Sequence, residues 1–163
     1  MKRYFYGCAS MVLFVIFLVS GLQAQDTAYK TLPSITITPS STVSKEVTKS
    51  FQHSFPDAKK PIWWQMNENY MVRFISKDQS NKALYSENGK LIYHLRYGKE
   101  NNLPGSVQRM VQQYYPHYNI TSVLFVNQDQ REIWVINVEN DKKLVVVRVE
   151  EGQLDEVDNY NKS

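Results

Sequence analysis

The strongest constraint on this chain is that part of it is written twice. Val47-x3-Phe51-x3-Phe55-Pro56 returns sixty positions later as Val107-x3-Val111-x3-Tyr115-Pro116. Glu87-Asn88-Gly89-Lys90-Leu91 returns, now offset by sixty-three, as Glu150-Glu151-Gly152-Gln153-Leu154. A helix end and a turn recur in the same order at nearly the same spacing, the mark of an internal duplication. Its 163 residues leave room for one medium domain or two small fused ones with a real core.

The repeated unit reads as one helix and four strands. Ser44 is a helix N-cap with Glu46 in the first turn, where a negative charge opposes the helix dipole. Val47, Phe51 and Phe55 follow at i, i+4 and i+8, so they form one apolar stripe, and Pro56 ends the helix at Phe55. Strand signals follow at Ile62–Asn67, Tyr70–Ile75, Lys82–Ser86 and Leu91–Tyr97. Turns are expected at Asn67–Asn69, Lys77–Asn81 and Asn88-Gly89, the last as a two-residue hairpin turn. Gly98–Asn102 is the seam. Leu103-Pro104 then opens a second helix, with Val107, Met110, Val111, Tyr114 and Tyr115 on one face and Pro116 as its stop. Four more strands are expected near Thr121–Val126, Glu132–Val138, Lys143–Val149 and Gln153–Val157.

The expected fold is therefore α+β: a tandem duplication of an α-β-β-β-β unit, residues 43–98 and 99–160, forming an antiparallel curved sheet with both helices on one face. A helix covers only one side of a sheet, so alternation along each strand assigns the faces. Tyr70, Val72 and Phe74, with Trp64, Leu91, Tyr93 and Leu95, are expected under the first helix. Trp134, Ile136, Val138, Val145, Val147 and Val149 are expected under the second. The complementary set is Trp63, Gln65, Met71, Arg73, Ile75, His94 and Arg96, then Ile133, Val135, Asn137 and Arg148. Its mixture of aromatic, apolar and cationic groups resembles a contact surface, and Trp and Arg are enriched in binding hot spots. Trp63, Gln65, Met71, Arg73, His94, Arg96, Asn137 and Arg148 are the binding-face candidates.

The N-terminus reads as a targeting segment. Lys2 and Arg3 precede the apolar run Met11–Val19, and Leu22-Gln23-Ala24 supplies a small-residue cleavage site, so residues 1–24 are expected to be a signal peptide. The run is about half of the ~20 residues a membrane-spanning helix needs. Cleavage after Ala24 would place the chain in the periplasm or outside the cell, with no membrane span. It would remove Cys8, the only cysteine, leaving no disulfide or thiolate ligand. It would also lower the basic count from 19 to 17 against 16 acids. No basic stripe appears, so nucleic acid is not an expected partner. Residues 25–42 form a Ser/Thr/Pro-rich lead-in whose Ile35–Thr38 alternation could add an edge strand. Thr27 and Asn119 lie in short glycosylation-like motifs.

Catalytic chemistry is missing. His53, His94 and His117 are far apart, and none has a second ligand at metal-binding spacing. No nucleophile elbow, zinc-protease motif, phosphate loop or dinucleotide fingerprint occurs. The acids at Asp155, Glu156 and Asp158 lack the spacing of a calcium loop. No cofactor is expected, nor is enzyme activity.

Phe51-x3-Phe55-Pro56-x-Ala58, Trp64, Tyr70-x-Val72-x-Phe74 and Asn88-Gly89-Lys90-Leu91, together with Leu103-Pro104 and Tyr115-Pro116, resemble the PepSY-like, β-lactamase-inhibitor-like domains. These are small exported bacterial proteins, common in Bacteroidetes, and the resemblance covers roughly residues 44–160. It implies a tandem α-β4 fold whose open sheet face, in the inhibitors for which the group is named, grips an enzyme. The second half departs from the pattern, with Val123-Leu124 where Trp63-Trp64 stand, and no inhibitor contact residue carries over. The expected function is an exported, non-catalytic module that engages a protein through the open face. The alternative is a small-ligand or glycan binder using exposed Trp and Tyr.

Overall fold

The computed structural model describes residues 36–40 and 42–162. The expected signal peptide, Thr27, Ile35 and most of the lead-in lie outside the described residues.

Helix α1 spans Lys45–Ser54. Ser44 caps it, its hydroxyl accepting from the Val47 amide at 3.2 Å, which satisfies one of the donors every helix start leaves unpaired. Phe55 leaves helical geometry ahead of Pro56, while its amide still donates to the Phe51 carbonyl at 2.8 Å. Helix α2, Gly105–Tyr114, starts from Pro104 without a side-chain cap and ends in the same way at Tyr115. A single 3₁₀ turn, Glu100–Asn102, precedes it.

Nine strands form one antiparallel sheet in sequence order: β1 Ile37–Pro39, β2 Lys59–Met66, β3 Asn69–Ser76, β4 Gln79–Ser86, β5 Leu91–Gly98, β6 Asn119–Gln128, β7 Arg131–Glu139, β8 Lys143–Glu150 and β9 Gln153–Asn161. A helix followed by four strands thus occurs twice, with β1 added at one edge from the lead-in. Every strand pairs only with its neighbours in the chain.

Three turns differ from the sequence reading, and each difference moves side chains. The β2–β3 turn has two residues, Asn67 and Glu68, because Met66 pairs with Asn69. The β3–β4 turn is Lys77-Asp78, both at positive φ, so β4 begins at Gln79 and is eight residues long. At β4–β5 only Gly89 is left-handed, with φ 82°, and the Gly89 amide donates to the Ser86 carbonyl at 2.9 Å. That is a four-residue turn closed by a glycine, not a two-residue one.

Two apolar clusters lie under the helices. Val47, Phe51, Val72, Phe74, Ala83 and Tyr85 pack beneath α1. Val111, Val123, Phe125, Trp134, Ile136, Val138, Val145, Val147 and Val149 pack beneath α2, with Leu103. The six residues expected under the second helix are all buried there. Phe51 anchors the first cluster, meeting Trp63, Phe74 and Tyr85 edge-on at centroid distances of 5.2, 5.1 and 6.5 Å.

Candidate functional site

Directly paired residues of antiparallel strands share a face, so the register assigns both sides of the sheet. Trp63 pairs with buried Val72, and Trp64 with Met71. His94 pairs with buried Ala83, and Arg96 with buried Asn81. The eight candidates therefore divide. Met71, Arg73, Asn137 and Arg148 stand on the helix-free face. Trp63, Gln65, His94 and Arg96 stand on the helix side, with Gln65 exposed near the sheet edge.

The reversal has two physical causes. A three-residue turn at Asn67–Asn69 would have paired Trp64 with Val72; the two-residue turn puts Trp63 there, on Phe51. In β5, Leu91 does face inward opposite Tyr85, but the register shifts at Ile92, so Tyr93 pairs with Leu84 and faces out, as does Leu95 opposite Lys82. The apolar alternation Tyr93, Leu95, Tyr97 is real but belongs to the open side.

The helix-free face is ordered in rows. One runs Trp64, Met71, Leu84, Tyr93; the next Ile62, Arg73, Lys82, Leu95, Val126, Ile133; the third Ile75, Ser80, Tyr97, Leu124, Val135, Arg148. Ile62 and Tyr97 are 44% and 39% exposed, high for large apolar side chains. Cations lie over its aromatic rings: Arg73 over Trp64 at 6.0 Å and Lys82 over Tyr97 at 5.6 Å. Arg148 is bound to Asp155 at 2.8 Å. Trp64, Lys82, Leu84 and Tyr93 were missed by the sequence reading. The offset of sixty could have found Trp64: Val123 faces inward and Leu124 outward, as Trp63 and Trp64 do.

On the helix side, β5 inserts a polar seam between the two apolar clusters. His94 Nε2 lies 2.9 Å from Asn81 Oδ1, and Asn81 Nδ2 donates to the Gln79 carbonyl at 2.7 Å. The imidazole packs on Phe55 and Phe125 at centroid distances of 4.7 and 6.2 Å. Burial, then the Arg96 charge, lower the His94 pKa from 6.5 to about 4, so the ring is neutral near pH 7. Arg96 lies over Phe125 at 4.6 Å and Trp134 at 5.6 Å. Among the described residues no three His, Cys, Asp or Glu side chains converge on a metal position.

No protein-family model matches the chain, and no curated protein is significantly similar. Its fold, an α+β meander with two helices on one side, is that of BLIP-like proteins of Bacteroides. A BLIP-like protein from Bacteroides fragilis superposes with a TM-score of 0.59 at 17% identity, covering 74% of this chain and 86% of that one. A DUF2874 family protein from Bacteroides ovatus gives 0.58 at 19% identity, over 75% and 89%. A protein from Bacteroides eggerthii, provisionally described as periplasmic, gives 0.56 at 13% identity, over 74% and 89%. At such identities the likeness is one of fold.

Proposed function

We propose that this chain is an exported, non-catalytic module that engages a protein partner through the helix-free face of its sheet. The observation that carries this is the row structure of that face. Trp64, Met71, Leu84, Tyr93, Leu95, Leu124 and Val126 adjoin one another across β2–β6, with no helix over them among the described residues. Contiguous apolar surface rimmed by polar groups is the usual form of a docking site. Export rests on the leader-like residues 1–24, and the provisional periplasmic description of one neighbour agrees with it. The PepSY-like resemblance and the origin of the halves in one duplicated α-β4 unit belong to the same reading, supported by the recurrence at sixty and sixty-three positions.

The test is capture from cell-envelope extract of the source organism. The wild-type chain would be compared with Trp64→Ala/Leu124→Ser on the helix-free face and with Tyr114→Ser on the exposed side of α2. A protein retained by wild type and Tyr114→Ser but lost from the double variant supports the reading. Equal capture by all three would refute it. A partner-free result with indole fluorescence shifted by envelope glycans would favour the glycan alternative.

A further inference from the structure

Arg73 and Lys82 are direct cross-strand partners near the middle of the first half of this face. Like charges placed opposite each other destabilise a sheet. No described residue offsets the repulsion, because neither side chain forms an ion pair in the fold. Each instead rests on an aromatic ring, Arg73 on Trp64 and Lys82 on Tyr97. On the same face of the second half the strand cations are paired: Arg148 is 2.8 Å from Asp155 and Arg131 is 2.7 Å from Glu150. Among the described residues, the only cross-strand pair of cations on this face is therefore in the first half, and its flanks are apolar, with Ile62 and Leu95 in the same row.

The wider charge distribution points the same way. Residues 36–98 hold nine Lys or Arg against five Asp or Glu, whereas residues 99–162 hold seven against ten, so an acidic group is drawn toward the first half.

We propose that Arg73 and Lys82 together receive a carboxylate from the protein partner, an Asp or Glu side chain on a loop whose neighbouring residues are apolar. This rests on the docking reading of the face and names what docks there. A guanidinium presents a planar fork that fits a carboxylate, and the ammonium opposite adds a second charge. Apolar flanks would exclude water on docking and strengthen the pairing. A nucleic acid or other polyanion would call for a longer run of cations than two.

The probe is an N-acetylated, C-amidated peptide, Ala-Leu-Glu-Trp-Leu-Ala, with its Gln counterpart as control. Both are titrated into isotope-labelled chain exported and purified from the periplasm of an expression host, followed by NMR. The Glu peptide is expected to shift the Arg73, Lys82 and Trp64 indole resonances and to bind about tenfold more tightly than the Gln peptide. The difference should vanish in Arg73→Ala/Lys82→Ala, whose urea midpoint should be no lower than wild type because a repulsive pair has gone. Equal binding of both peptides at these residues overturns carboxylate recognition but leaves apolar docking intact. Shifts confined to the helix side, or none, also overturn it, while the capture experiment still decides the docking reading. Larger shifts with inorganic phosphate at equal concentration overturn the assignment to a protein carboxylate in favour of a phosphate-bearing ligand.

Discussion

Replacing Gly89 and Gly152 by alanine, one at a time, separates backbone strain from close packing. The two glycines close corresponding turns with φ of 82° and 77°, so alanine at either must adopt left-handed backbone. That costs about 1–2 kcal/mol. Their surroundings differ. A Cβ on Gly89 would lie 2.9 Å from the Glu46 carbonyl oxygen and 3.0 Å from its carbon, whereas one on Gly152 would meet nothing within 4 Å. The obstacle is the first turn of α1, which is held in place by the Ser44 cap and by Val47 buried beneath it. Relief requires moving backbone, and such overpacking adds about 1–3 kcal/mol. Gly89→Ala should therefore lose about 2–5 kcal/mol and Gly152→Ala about 1–2. Urea unfolding followed by tryptophan fluorescence would read both, with unchanged slopes as the check that the unfolded state is unaltered. Equal losses would refute the reasoning, because they would mean that the β4–β5 turn does not bear on α1.

Trp63→Ala should cost about 3–5 kcal/mol by opening the core against Phe51, while Trp64→Ala should cost under about 1.5; a chemical denaturation series gives both. Tyr85→Phe should leave stability unchanged or raise it by up to about 1 kcal/mol, measured as a melting shift, because the Tyr85 hydroxyl is buried without a hydrogen-bond partner among the described residues. Burial pushes that phenol up to about 12, and nearby Ser54 offsets a part without reaching hydrogen-bond geometry. The His94 pKa falls on folding, so the unfolded chain takes up its proton first. Its contribution is present above pH 6.5 and is lost as the pH falls toward about 4, by about 3 kcal/mol at most and less where water reaches the ring. His94→Gln should flatten that part of the stability-against-pH curve measured by urea titration.

Much of this fold was legible because its signals are local. Ser44, the Val47–Phe51 stripe and Pro56 bound α1, and the Trp134 and Val147 alternations bound their strands. The strands of the second half were assigned correctly on both faces, although Tyr114, expected on the packed side of α2, is 65% exposed. Those of the first half were not, because side-chain direction there depends on turn length and on one inserted residue. Neither leaves a compositional trace: Asn67-Glu68 and Asn67–Asn69 are equally plausible turns by residue type. The open face deepened the difficulty, since its β5 residues Tyr93 and Leu95 are as apolar as a core stripe. Hydrophobic alternation reveals that a strand has an apolar side, but not which of two apolar sides carries the helix. Positions such as Lys82 were missed because a lone lysine in a strand carries no mark until its cross-strand partner is known.

The sequential order of the nine strands also governs how such a chain can assemble. Most partnered strands are joined by a few residues, so each hairpin can form as soon as both its arms exist. The pairing of β5 with β6 is the exception among β2–β9, because residues 99–118, including α2, intervene. Closing a loop costs about 0.6 kcal/mol for each doubling of length, so this closure is about 2 kcal/mol harder than a two-residue turn. It must also be completed across His94 and Arg96, where the two apolar clusters meet through polar groups instead of a continuous hydrocarbon surface. Local wiring favours rapid formation of each half. On this wiring the costliest closure expected among β2–β9 is the one that joins the halves.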